Sequence, residues 1–214
     1  MESLEIIVLL LAFLANLVVG AFIYLFGFKL HNNKYLDARY FAFACFFASL
    51  WALSLLSDRI FISLTEIPIA LYVFNMVAYG SAALIFYNLA IFSLYFYRSK
   101  REAKRLQILV KLPLIFYAII IIFPEIGITS LNLENPIRWG TVSHYIFALL
   151  SLYYVSFYYY FLFKTKGKMP KNNIGQWYGV CIGTTIGIVG GVSLNLIVPL
   201  IIGNGFLSAY GPVF

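Results

Sequence analysis

The chain has 214 residues, 63% hydrophobic and 11% charged, with a formal net charge of +7 and a mean hydropathy of +0.91. Soluble domains run nearer half apolar and a quarter charged. A water-soluble globule is therefore excluded, as are a disordered chain and, with two cysteines, a disulfide scaffold. What remains is an all-α membrane protein: a polytopic helical bundle, expected to have six spans and a truncated seventh.

A charge at the bilayer centre costs at least roughly 2.5–3.5 kcal/mol, so charges mark where spans end. Glu5 to Lys29 encloses 23 uncharged residues, enough for the roughly 20 that a spanning helix needs. The gaps between charges predict helices at 6–28, 40–57, 70–97, 108–124, 140–163 and 174–202. The fourth reaches membrane length only if Lys111 snorkels, which places Pro113 in the first turn or two, where a missing N–H matters least. A β-barrel needs alternating segments of about ten residues. Stretches 6–15 and 115–123 are apolar on every side and do not alternate. Glu2 and Glu5 stand where a secretory signal has its basic region, so the first helix is expected to be retained.

Basic residues of short loops stay in the cytoplasm. With the N-terminus outside, 13 of the 15 basic residues fall on the inner side, leaving only Arg59 and Arg138 outside. Glu2, Glu5, Asp58, Glu66, Glu125 and Glu134 fall outside, six of the eight acids. The net charge thus calls for no nucleic-acid partner. The expected partner is the lipid bilayer, and basic runs such as 98–105 favour anionic headgroups.

Within the spans, Gly175, Gly179, Gly183, Gly187 and Gly191 recur every four residues along the sixth helix. Small residues at this spacing let helices approach closely, so this stripe is expected to pack tightly within the bundle, with a homodimer seam or sliding surface as the alternative. Ser81, Asn88 and Tyr95 lie seven apart on one face of the third helix and are expected to face inward, with the Asn88 amide bonded to another helix. Asn75 points elsewhere. His144 lies one turn into the fifth helix, either as an interfacial histidine or as a ligand- or pH-sensing group. Tyr153, Tyr154, Tyr158, Tyr159 and Tyr160, with Trp177, read as an inner aromatic belt. Cys45 and Cys181 read as packing residues.

No acid or base lies firmly inside a predicted span, as a proton relay or ion-coupled pump requires. His31 and His144 fall on opposite sides of the membrane, so there is no metal-ligand set, and no phosphate loop or nucleophile elbow occurs. No cofactor and no enzymatic activity are expected.

The order of short motifs is informative: Arg39-Tyr40-Phe41-Ala42, Leu50-Trp51-Ala52-Leu53, Tyr95-Phe96-Tyr97-Arg98, Asn195-Leu196-Ile197-Val198-Pro199-Leu200, then Tyr210-Gly211-Pro212. This order resembles the seven-transmembrane sensor region at the N-terminus of bacterial histidine kinases. The resemblance implies a single transmembrane sensor-type domain over 1–214, with a seventh helix and output domains beyond Tyr210-Gly211-Pro212. Signal reception, rather than phosphotransfer, is then expected at a bacterial plasma membrane. The stimulus is an unidentified small molecule or physical cue, and candidate ligand-binding residues are Asp58, Arg59, Glu66, Arg138, His144, Asn75 and Asn88. A substrate-binding membrane subunit of a transporter is the alternative, with the face at 175–191 as its docking surface.

Overall fold

The computed structural model describes residues 2–29, 36–64, 68–96, 100–122, 128–132, 135–139, 141–167 and 169–194. Among them are α1 (Glu2–Phe22), continued as a π-helix over Ile23–Lys29, then α2 (Leu36–Leu64), α3 (Pro68–Tyr95) and α4 (Lys100–Ile122). A hairpin of β1 (Ile128–Asn132) and β2 (Asn135–Trp139) follows, then α5 (Thr141–Lys166), a 3-10 turn at Lys171–Asn173 and α6 (Ile174–Val192). Local signals match these bounds. Pro68 occupies the first position of α3, where a proline suits a helix start. Lys164 and Lys166 sit in the last turn of α5, facing the negative end of its dipole.

Neighbouring helices alternate in direction. Tyr40 stacks on Tyr95 and Phe41 meets Phe92, at centroid distances of 5.4 and 5.2 Å, so α2 and α3 are antiparallel. Tyr79 meets Phe147 and Tyr87 meets Tyr154, so α3 and α5 run parallel. Tyr117 meets Phe147 while Tyr154 reaches Val110, so α4 opposes α5. The hairpin pairs Ile128 with Trp139, Ser130 with Arg138 and Asn132 with Asn135, and packs on α3. Alternation gathers Lys29, Arg39, Lys104, Lys164 and Lys171 at one end of the bundle, while the hairpin and the start of α1 lie at the other.

The α1–α2 seam shows how the sequence sets the packing. Glu5, Leu9, Ala12 and Gly20 are buried, at near-heptad spacing, while Leu10, Leu14, Leu17 and Val18 are exposed, as lipid-facing residues are. Residue size falls along this seam from Leu9 to Ala12 to Gly20. A Cβ on Gly20 would lie 3.0 Å from the Phe46 ring and 3.1 Å from the Cys45 Cβ, so the backbones approach most closely here. The Ser49 hydroxyl donates to the Phe13 carbonyl at 3.0 Å across the same seam.

Among the described residues, four helical stretches are long and apolar enough to cross a membrane: Leu4–Lys29, Leu36–Ile60, Met76–Tyr95 and Ile146–Lys166. The chain is thus a helical membrane protein. The predicted fourth and sixth spans are not among these stretches. Helix α4 starts at Lys100, eight residues before the expected 108, and carries its basic run inside the helix. The sixth span is described only as far as Leu194, and residues 195–214, including the expected truncated seventh helix, lie outside the described residues. Pro113 falls in mid-helix rather than near the start of α4. The hairpin is an addition that the all-helical reading did not contain.

The glycine stripe on α6 is also corrected. Among the described residues, a Cβ on Gly175, Gly179 or Gly183 would meet no atom within 4 Å. The packed face of α6 is instead Trp177, Cys181, Thr184 and Ile188. At about 100° per residue, a four-residue spacing advances about 40° per step, so the glycines wind around the helix. They begin opposite the packed face and reach partial burial only at Gly187 and Gly191.

Candidate functional site

Charged side chains are buried within two helices at the end opposite the basic one. Glu5 Oε2 lies 3.4 Å from Arg59 Nε, joining the start of α1 to the last turns of α2. The Glu5 side chain is 5% exposed and that of Arg59 34%, so the base reaches outward while the acid is enclosed. Asp58, adjacent in sequence, is 9% exposed. Leu9 and Leu56 form an apolar floor, flanked by Ile6, Leu55 and Ile60.

This arrangement differs from the expectation that charges end helices. Helix α2 continues six residues past Asp58 to Leu64, and Glu5 lies within α1. The physical reason is pairing: an opposite charge offsets part of the desolvation cost that would otherwise expel each group.

The other candidate residues are not gathered here. Asn88 is buried in α3, but its amide donates to the Leu84 carbonyl at 2.7 Å in the same helix, not to a neighbouring one. Ser81 and Tyr95 are buried on α3 as well. Asn75 lies in α3, Arg138 in β2 opposite Ser130, and His144 in the first turn of α5, and their side chains lie outside the described residues. Glu66 also lies outside the described residues. Among the described residues, no group of three or more His, Cys, Asp or Glu could hold a metal ion.

A second polar system lies where the sequence predicts an inner aromatic belt. Pro113 has no N–H to offer the Leu109 carbonyl one turn back, so that acceptor is left open inside α4. The Tyr153 hydroxyl donates to it at 3.0 Å, and the Tyr154 hydroxyl donates to the Val110 carbonyl at 2.9 Å. On the α6 side, the Thr184 hydroxyl donates to the Val180 carbonyl at 2.6 Å. With that proton committed, Tyr158 is the donor in its 2.7 Å bond to Thr184. Tyr159 and Thr185 repeat the pattern at 2.6 Å, with Thr185 donating to the Cys181 carbonyl. Trp177 Nε1 donates to the Leu162 carbonyl at 2.9 Å. These tyrosines are therefore rungs linking α4, α5 and α6. Tyr160 alone of the run is mostly exposed. The signal that could have revealed this was a proline within α4 and the Thr184-Thr185 pair on α6.

Replacing Tyr154 with Phe is expected to cost about 1 kcal/mol, the ordinary worth of an inter-helix bond in lipid. Tyr153→Phe should cost a similar amount, but less in a Pro113→Ala background, where the new N–H serves Leu109. Thermal unfolding in mild detergent, followed by tryptophan fluorescence, measures these four variants against the wild type.

No protein-family model matches the chain, and no curated protein or solved structure matches it.

Proposed function

We propose that the chain is the signal-reception module of a histidine-kinase-type receptor in a bacterial plasma membrane, with its N-terminus outside and its basic end in the cytoplasm. The observation that carries this reading is the Glu5–Arg59 pair, with the acid enclosed and the base partly exposed, beside the buried Asp58 at the end opposite the basic residues. An ion pair that joins two helices can serve as a two-state element: a ligand that engages either partner better when the pair is open would shift α1 against α2. The hairpin bearing Arg138 lies at the same end and packs on α3. Helix α4, interrupted at Pro113 and held there by tyrosine hydroxyls, can relay such a shift toward the basic end. Output would lie in domains outside this chain, in a two-component system. The order of short motifs supports the same reading.

One observation favours a second reading, a substrate-binding subunit of a transporter. The open face at Gly175, Gly179 and Gly183 offers a smooth surface to another membrane subunit, or to a second copy.

The test is a chromosomal Glu5→Gln replacement in the native host, compared with wild type and with a deletion. A sensor gives a transcript profile in which Glu5→Gln reproduces part of the deletion's change. A deletion that leaves transcription intact and abolishes uptake of a nutrient overturns the sensor reading in favour of the transporter subunit.

A further inference from the structure

We infer that one face of α4 is a seat for anionic phospholipid headgroups. The buried side of α4 is Ala103, Val110, Pro113 and Tyr117. The opposite side exposes Arg101, Lys104, Arg105, Ile108 and Lys111, then Leu112, Ile115 and Phe116. These positions recur at helical spacing, so a single stripe changes from basic to apolar at Lys111–Leu112.

That change locates the stripe in the bilayer. Leu112, Ile115 and Phe116, all more than half exposed, belong in hydrocarbon. Lys104 to Lys111 then covers roughly 10 Å along the axis, enough to span the headgroup layer of about 5–8 Å on one side of a membrane. Ile108, the most exposed large apolar residue described, sits between the bases, where it can dip toward the acyl chains.

The bases on this face differ from Lys29, Arg39, Lys164 and Lys166 at the same end. Arg39 lies over the Phe28 and Phe43 rings at 5.7 and 5.2 Å, and Lys29 lies over Tyr24 at 5.9 Å. Lys164 lies over Tyr160, and Lys166 over Trp177 and Tyr178. By contrast, Arg101, Lys104, Arg105 and Lys111 have no ion pair, hydrogen bond or ring contact among the described residues. Glu102 is the single acid between Lys100 and Lys111. Unpaired cations held at headgroup depth fit the phosphates of anionic lipids, and each base close to such a surface raises partition about fivefold.

The test uses the full chain in nanodiscs of equal phosphatidylglycerol and phosphatidylcholine, with retained lipids counted by native mass spectrometry. The wild type should retain phosphatidylglycerol preferentially. Lys104→Gln/Arg105→Gln/Lys111→Gln should lower that retention at least tenfold, whereas Lys166→Gln, at a residue already engaged by two rings, should not. The charge-conserving Lys104→Arg/Lys111→Arg protein should retain phosphatidylglycerol, which separates charge from folding. Unchanged retention in the triple variant overturns the inference, as does loss in the charge-conserving one. If the triple variant keeps its lipids but loses a host protein that the wild type binds, the face is a protein-docking surface and the lipid seat is wrong.

Discussion

Arg59→Gln should destabilise the bundle by roughly 2–3 kcal/mol. Removing one member of a buried pair leaves the other charged and unsolvated, which costs about 3–5 kcal/mol when both are enclosed. Arg59 is about one-third exposed, so its pair is partly screened and the cost falls to the bottom of that range or below it. Glu5 remains enclosed between α1 and α2 and has no other ion-pair partner among the described residues. Glu5→Gln should cost less, because a neutral amide tolerates that site and leaves a base that can reach water. The double variant Glu5→Gln/Arg59→Gln should be more stable than Arg59→Gln alone. Unfolding in detergent, arranged as a double-mutant cycle, measures the coupling. A cost below about 0.5 kcal/mol for Arg59→Gln would show that the pair contributes nothing to the α1–α2 contact.

Gly20→Leu should detach α1 from α2 over its inner half. Even a methyl group at Gly20 would stand 3.0–3.1 Å from Phe46 and Cys45. A leucine needs several more ångströms in a seam where the opposing atoms are a ring and a Cβ, not the flexible end of a long chain. Overpacking typically costs about 1–3 kcal/mol and here has few routes of relief. Gly20→Ala should cost much less, since a small shift of the Phe46 ring admits it. Leu17→Ala, on the exposed side of the same helix, should be near neutral. A cysteine cross-link between α1 and α2, formed in wild-type membranes and lost in Gly20→Leu, reports detachment directly.

Much of the helical pattern was legible in charge spacing, and the places where it failed share a cause. The first helical run is continuous across the uncharged stretch as far as Lys29, the last residue described there. Asp58 and Arg59 do not end α2, because a charge can remain inside a helix when a partner helix supplies its counter-charge. No local pattern announces that Glu5, 54 residues away, is that partner. Lys100–Lys111 is helical although polar, since its Ala103 and Val110 side is buried while its bases face outward. The glycine stripe misled for a geometric reason: a spacing of four drifts off any one face of a 3.6-residue helix. The tyrosine run misled because composition shows where aromatics gather, not where their hydroxyls point. Pro113 was the available clue, since a proline in mid-helix always leaves an acceptor that something must satisfy.

The orientation of this bundle in a living membrane tests the account most directly. Cysteines would be placed singly, in a background with Cys45 and Cys181 replaced by alanine, at Asn135 in the hairpin and at Lys104 in the basic stretch. Intact cells of the host would then be treated with a membrane-impermeant maleimide. Asn135→Cys is expected to be labelled in intact cells and Lys104→Cys only after lysis. Labelling of Lys104→Cys in intact cells, with Asn135→Cys protected, would invert the bundle and place the Glu5–Arg59 pair on the cytoplasmic side, contradicting the proposal that it receives an external stimulus.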